Sequence, residues 1–108
     1  MSFGLGHGKP LDSAPGVVGI SPEELPPLPD TVLQDPQSGR LDPRGWFAQP
    51  SRRFELEIGS GKGAFLVQQA DLQPETNFLG IEWAGEFAAY TADRIRRKRE
   101  NEGTHTNV

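Results

Sequence analysis

The sequence predicts an α/β fold in which one helix joins two parallel strands and a second helix follows the second strand. Residues 53–59, RFELEIG, alternate apolar and charged side chains, which is typical of a strand. A helical apolar stripe follows Gly63, and a second short apolar run occupies residues 77–82. Because a strand-helix-strand unit makes a right-handed parallel crossover, we expect the two strands to be parallel neighbours.

The first strand carries Phe54, Leu56 and Ile58 on one face, and Glu55 and Glu57 on the other. It stops at a glycine. Its regular alternation indicates a strand whose two faces meet different surroundings.

The first helix is predicted to start after Gly63 and to end before Pro74, because proline disfavours helical geometry at the residue before it. The second strand ends at Glu82. A second helix is predicted from Ala84 to about Asn101, with one apolar face formed by Phe87, Ala88, Thr91, Ala92 and Ile95. Gly103 is predicted to be the helix C-cap, and residues 104–108 are expected to approach a third strand.

Residues 1–45 are predicted to be a mobile leader, and residues 46–108 the folded part. Nine of the ten prolines lie in the first fifty residues, and no periodic apolar pattern occurs there. Six acidic residues also lie in the leader. The net charge of −4 therefore hides an acidic leader and a later basic cluster.

Composition excludes several kinds of site. Without cysteine there is no disulfide and no thiolate zinc site. His7 and His105 are isolated from other potential ligands, so we expect no metal. There is no apolar run of membrane-spanning length and no secretory signal, so we expect a soluble, cytoplasmic protein with no membrane contact. No feature of the sequence specifies an oligomeric state.

A glycine turn follows the first strand, with Gly59, Gly61 and Gly63 at alternate positions before the helix. Glycine lets a ligand approach the backbone, and a helix N-terminus offers free amide groups. The turn is not a P-loop, because Lys62 is followed by glycine and the required upstream glycine is missing. Gly59 and Gly61 are predicted to contact a small cofactor, although such a turn also serves merely to connect a strand to a helix.

Glu82 ends the second strand about twenty residues after this turn, where a carboxylate can accept hydrogen bonds from ribose hydroxyls. The same pattern fits a nicotinamide dinucleotide, which leaves an NAD-binding Rossmann oxidoreductase as an alternative. Glu57 favours S-adenosylmethionine instead, because that cofactor carries positive groups that an acid in the cradle can attract.

Three segments together resemble the bacterial tRNA (guanine-N7)-methyltransferases: LEIGSGKG at 56–63, NFLGIE at 77–82 and ADRIRRK at 92–98. The resemblance covers roughly residues 46–108. It implies a Rossmann-like class I methyltransferase fold, transfer of a methyl group from S-adenosylmethionine to guanine N7 in the tRNA variable loop, and cofactor contacts by Glu57 and Glu82. Guanine N7 already presents a lone pair, so no residue is assigned as catalytic.

The resemblance also implies parts that have no counterpart in this sequence: an acidic cofactor contact after the third strand, and a later catalytic and substrate-binding aspartate. We therefore expect a methyltransferase domain truncated after its first β-α-β-α unit, inactive by itself.

Two assignments stay open at this point. The basic cluster of Arg94 and residues 96–99 would either contact tRNA phosphates or form a solvated helix face. If it alone were functional, the chain would be a non-catalytic RNA-binding adaptor. Trp83 would border the adenine or, as is more usual for an aromatic residue at a strand end, pack in the core.

Overall fold

The computed structural model describes residues 19–108 and contains two strands and two α-helices in the predicted order. The elements are β1 (Phe54–Ile58), α1 (Ala64–Leu72), β2 (Asn77–Ile81) and α2 (Gly85–Glu102). The strands pair in parallel, from Phe54 beside Asn77 to Ile58 beside Ile81. The predicted α/β class with a small parallel sheet is therefore confirmed. Neither helix in this part of the chain is long and apolar enough to cross a membrane.

Local backbone chemistry sets the limits of α1. Gly63 precedes the helix with φ of 81°, a left-handed conformation that glycine adopts without a steric penalty. Leu66, Val67 and Ala70 form its buried stripe. The helix ends two residues before Pro74, as predicted.

The buried core lies on one side of the sheet. It combines α1, β2, α2 and the last residue: Leu66, Val67, Ala70, Phe78, Ile95 and Val108. A Cβ added to Gly80 would lie only 2.6 Å from a methyl carbon of Leu66, so α1 packs directly on this face of β2. In the strand register, Phe78 and Gly80 are the neighbours of Glu55 and Glu57 and share their face. The helices therefore cover the side of the sheet that bears the glutamates.

In the described residues, the opposite, apolar face of the sheet is open towards the ends of the strands. Leu56 is 50% exposed, Ile58 77% and Ile81 48%. The alternation in β1 correctly predicted two different faces. Its apolar side chains are absent from the core because α1 and α2 both contribute to the core on the other side.

Residues 104–108 return to α1 and β2 after α2 ends. Gly103, with φ of 69°, is the predicted C-cap. The side-chain amide of Asn107 donates to three backbone carbonyls, at 3.1, 3.0 and 2.7 Å, those of Ala70, Gln73 and Thr76. The N–H of Phe78 in turn donates to the carbonyl of Asn107 at 2.7 Å. This bond places Asn107 beside β2, as the predicted approach to a third strand requires. Residues 104–108 do not form a strand themselves.

Part of the predicted leader forms short 3-10 helices, which the apolar pattern did not indicate. They cover Pro22–Glu24, Asp30–Leu33, Pro36–Gly39 and Pro43–Trp46. Two of them start after an aspartate whose carboxylate accepts a backbone N–H: Asp35 from Gln37 at 3.2 Å, and Asp42 from Arg44 at 3.1 Å. Residues 1–18 lie outside the described residues, and the mobility of residues 1–45 stays a prediction.

Candidate functional site

The glycine turn between β1 and α1 divides into an open part and a packed part. Gly59, Gly61 and Gly63 all have positive φ, at 81°, 59° and 81°. A Cβ added to Gly59 or Gly61 would meet nothing within 4 Å, so a ligand can approach the backbone there. A Cβ on Gly63 would lie 2.3 Å from the methyl carbon of Thr91, so α2 fills that space. The first two glycines face open space, whereas the third permits close helix packing.

The turn folds back over the end of β2. The N–H groups of Gly59 and Ser60 both donate to the carbonyl of Ile81, at 2.7 and 3.2 Å. This pair of bonds brings the turn beside the next residue, Glu82. Parallel strands place their carboxyl ends at one edge of a sheet, and that is where ligands bind in open α/β folds.

Glu82 connects the turn to the start of α2. Its Oε1 accepts the N–H of Gly61, and its Oε2 accepts the N–H of Ala84, each at 2.7 Å. These bonds, the one from Ala84 first, hold the pKa of Glu82 below its usual range because they stabilise the charged form. Glu82 is therefore ionised at neutral pH, with acceptor capacity left on both oxygens.

Glu57 is a half-buried carboxylate without a compensating partner for one of its oxygens. Its Oε2 is buried and accepts no hydrogen bond from any described residue. Burial raises the pKa of Glu57, because desolvation disfavours the charged form. Such an atom is a natural acceptor for a cationic or hydrogen-bonding group of a ligand.

Of the four residues predicted to bind the cofactor, Gly61 and Glu82 are hydrogen-bonded to each other. Gly59 is held next to them by the Ile81 carbonyl, and Glu57 lies two positions before Gly59 on β1. Their assignment to a cofactor stays a prediction.

Two residues of this region were not predicted to belong to the site. Thr91 Oγ1 donates to the carbonyl of Gly61 at 3.2 Å, and Lys62 Nζ lies 5.7 Å from the ring centroids of both Phe87 and Tyr90. The helical pattern placed Phe87 and Thr91 on one face of α2. It could not indicate that this face meets the glycine turn.

Trp83 directly follows Glu82 and is fully exposed. The expectation that it packs in the core is therefore wrong. Because it lies beside the candidate site, its indole ring is free to contact a ligand.

Three of the five residues of the basic cluster on α2 form ion pairs with acids of the same helix. Arg96 pairs with Asp93 at 2.8 Å and Glu100 at 2.9 Å, and Arg97 pairs with Asp93 at 2.8 Å. Lys98 lies 3.6 Å from Glu102. These pairs reduce the positive charge that the sequence alone suggested for phosphate binding.

Arg99 and His105 serve the C-terminal segment. Arg99 donates to the carbonyls of His105 and Val108, at 2.9 and 2.8 Å. The buried ring of His105 contacts the carbonyl of Val67 at 3.0 Å and the hydroxyl of Thr104 at 2.7 Å. Within residues 19–108, no group of three or more His, Asp or Glu side chains is arranged to hold a metal ion.

Several curated proteins are similar in sequence to this chain. The tRNA (guanine-N(7)-)-methyltransferase of Rhodopirellula baltica is 33% identical over 96 residues, which covers 74% of this chain and 35% of that protein. The protein of the same name from Rhodospirillum rubrum is 38% identical over 80 residues, covering 74% of this chain and 31% of its own length. A third, from Geobacillus thermodenitrificans, is 37% identical over 60 residues, covering 56% and 27%.

The chain thus spans about a third of the length of the curated relatives that it matches. No solved structure matches it at a significant level. The model of the family described as "Putative methyltransferase" matches residues 51–108, which contain β1, α1, β2 and α2. Because this match covers more than half of the sequence, the chain belongs to that methyltransferase family.

Proposed function

We propose that this chain forms the cofactor-binding front part of a tRNA (guanine-N7)-methyltransferase, which transfers a methyl group from S-adenosylmethionine to guanine N7 in the variable loop. The observation that carries the cofactor assignment is the position of Glu82, hydrogen-bonded to Gly61 beside the open backbone of the glycine turn. The names of the relatives support the choice of tRNA as the substrate.

The residues at the turn suit this cofactor. Glu82 has acceptor capacity left for the two ribose hydroxyls, since a carboxylate offers about four lone-pair sites and the N–H groups of Gly61 and Ala84 take one on each oxygen. The unpartnered oxygen of Glu57 suits the positively charged amino group of the methionine part. Gly59 and Gly61 would let the cofactor approach the backbone, and exposed Trp83 would border the adenine.

Bound S-adenosylmethionine would supply an electrophilic methyl group. Guanine N7 has a free lone pair, so no side chain needs to remove a proton from it. The contribution of this chain is then to bind and orient the cofactor, and orientation alone can lower a barrier substantially. We accordingly propose cofactor-binding roles for Glu57, Gly59, Gly61 and Glu82, and no catalytic residue.

The proposal also includes the type of α/β fold. β1, α1, β2 and α2 would be the opening unit of a Rossmann-like class I methyltransferase fold. The exposed Leu56, Ile58 and Ile81 support this, because an open apolar face is a packing surface for further elements. A tRNA substrate would place the enzyme in the cytoplasm.

Two other functions fit less well. An NAD-binding oxidoreductase would share Gly59, Gly61 and Glu82, but NAD has no ammonium group to pair with the buried oxygen of Glu57. An RNA-binding adaptor would depend on the basic cluster, whose members 96–98 are paired with acids of the same helix.

Thermal unfolding of this chain with S-adenosylhomocysteine or with NAD tests the proposal. A ligand that binds only the folded state stabilises it, by about 2.7 kcal/mol at a hundredfold excess over Kd. We expect a raised midpoint with S-adenosylhomocysteine alone. A rise with NAD alone would support the oxidoreductase. No rise with either ligand, together with salt-dependent tRNA binding, would support the adaptor.

A further inference from the structure

Different elements hold the two backbone groups of Gly61. Its N–H donates to Glu82 at the end of β2, at 2.7 Å, and its carbonyl accepts the hydroxyl of Thr91 in α2, at 3.2 Å. A residue with positive φ and no side chain has an unusually wide choice of conformations. The two bonds therefore select one orientation of this peptide.

The methyl group of Thr91 adds a steric constraint. It occupies the space that a side chain on Gly63 would need, with contacts of 2.3 Å to Cγ2 and 2.8 Å to Oγ1 for a Cβ built there. Thr91 is itself buried, at 5% exposure. One threonine of α2 thus contacts the turn at two glycines through its two different γ substituents.

Lys62, between these glycines, provides a further connection to α2. Its ammonium lies 5.7 Å from the ring centroids of Phe87 and Tyr90, which is within the range of a cation–π interaction. Phe87, Tyr90 and Thr91 are three and four residues apart and so lie on one face of α2. The turn is therefore attached to a single helix face at three consecutive residues, 61–63.

We propose that Thr91 and Lys62 are positioning residues that make the shape of the glycine turn, and hence cofactor affinity, depend on the packing of α2. The identity of the ligand in this proposal rests on the proposed function, whereas the geometry of the turn does not depend on it. The hydroxyl of Thr91 fixes the Gly61 peptide, its methyl group seats Gly63, and Lys62 keeps the turn against the aromatic residues. Ligand binding at the turn and the docking of α2 are then coupled.

The test uses Thr91→Val, which keeps the shape and removes the hydroxyl, and Thr91→Ser, which keeps the hydroxyl and removes the methyl group. Amide hydrogen exchange of the full 108-residue chain, measured by NMR without ligand, reports on Gly61. The amide of Ile95, in the buried part of α2, reports on the stability of the whole unit. Thr76→Val is the control, because it removes the hydroxyl of another buried threonine away from the turn.

We expect Thr91→Val to speed exchange at Gly61 about 3- to 10-fold more than at Ile95, the size of one lost neutral hydrogen bond. Thr76→Val should change both amides equally, and Thr91→Ser should speed exchange at Gly61 less than Thr91→Val does, because it keeps the hydroxyl bond. Lys62→Met should also act at Gly61 selectively, and Lys62→Arg should restore protection because it keeps the cation. Equal effects of Thr91→Val at Gly61 and Ile95 would overturn the proposal.

Calorimetry with S-adenosylhomocysteine separates this proposal from the proposed function. Thr91→Val should weaken binding by about the same 3- to 10-fold. Thr91→Ser should weaken it less than Thr91→Val does, because it keeps the hydroxyl bond to Gly61 and loses only the methyl contact at Gly63. If the unmodified chain does not bind this ligand but Gly61 responds selectively, the positioning role stands and the cofactor assignment fails. Binding that is indifferent to Thr91→Val would overturn the coupling while leaving the cofactor assignment intact.

Discussion

Glu82 accepts the backbone N–H of Gly61 at 2.7 Å, across 21 positions of sequence. Its other oxygen accepts the N–H of Ala84, the residue that precedes α2. One carboxylate thus fixes the relative positions of the turn, the end of β2 and the start of α2. A site built in this way is organised before a ligand arrives, which lowers the entropy cost of binding.

Glu82→Ala should weaken S-adenosylhomocysteine binding about 10- to 100-fold, the range expected for lost hydrogen bonds to a charged group. Isothermal titration calorimetry measures the change, and the thermal midpoint of the variant shows whether it still folds. Glu75→Ala is the matched control, since Glu75 is an exposed acid outside the site. An unchanged Kd in Glu82→Ala would remove this residue from the site.

Glu57→Gln should stabilise the free chain at about pH 7 while weakening cofactor binding. Burial raises the folded-state pKa of Glu57, so its favourable contribution is present below the unfolded value and is lost as the pH rises through the raised folded value. The gain from glutamine should therefore vanish by about pH 4. Thermal unfolding across this range, with Glu75→Gln as control, measures the slope. A gain that is the same at all pH values would show that ionisation of Glu57 is not its cause.

Glu82 should act in the opposite direction. Its pKa is lowered by the N–H groups of Ala84 and Gly61, so its contribution is present above the unfolded value of 4.5 and is lost as the pH falls through the lower folded value. In the same titration, Glu82→Gln should lose stability relative to the unmodified chain at about pH 7 and approach it under acid conditions. A difference that grows on acidification would contradict this sign.

Trp83 should report directly on an adenine ring. The chain has two tryptophans, so Trp46→Phe leaves Trp83 as the only one. Because this indole is fully exposed, stacking on a base should change its fluorescence during titration with S-adenosylhomocysteine. Trp83→Ala should weaken binding by about 1–2 kcal/mol, within the range for aromatic stacking on a base. Unchanged emission at saturating ligand would place the adenine elsewhere.

The 108-residue chain alone should not methylate tRNA. Its sheet has an open apolar face at Leu56, Ile58 and Ile81, and two strands rarely form a stable sheet by themselves. The assay is transfer of a radiolabelled methyl group from S-adenosylmethionine to unmodified tRNA. The positive control is a complete tRNA (guanine-N(7)-)-methyltransferase such as that of Rhodopirellula baltica. Comparable turnover by the two proteins would show that the necessary contacts all lie within this sequence.

Limited proteolysis should cut first within residues 1–45. The folded part is anchored from residue 49 onward, because the buried side chain of Asn77 donates to the carbonyl of Gln49 at 2.9 Å and its N–H to that of Arg53 at 2.8 Å. Mass spectrometry of early fragments locates the cuts. First cleavage in α1 or α2 would mean that the leader packs more firmly than the helices.

Sequence periodicity predicted the elements well because each has a strong local cause. The alternation in β1, the proline after α1 and the glycine after α2 are local signals, and the observed elements agree with them within a few residues. The proximity of Gly61 and Glu82 could also be predicted from the sequence, because the carboxyl ends of neighbouring parallel strands lie at one edge of the sheet.

Other features depend on which surfaces meet, and periodicity carries no such information. The two faces of β1 were predicted, but not that the helices cover the one with Glu57. Likewise, nothing local distinguishes Thr91 from the neighbouring small residues of α2 until that helix lies on the turn. Trp83 was misplaced because aromatic residues at strand ends usually pack, whereas this one is exposed.

The side chain of Asn107 has a consequence for the order of folding. It holds carbonyls at the end of α1 and in the following loop, at sequence separations of 31 to 37 residues. During synthesis these carbonyls, and the N–H of Phe78, must wait for residue 107 to leave the ribosome before they find these partners. These contacts therefore form last, when the C-terminal segment packs against α1 and β2. Until then, water molecules donate the hydrogen bonds to the carbonyls at the end of α1.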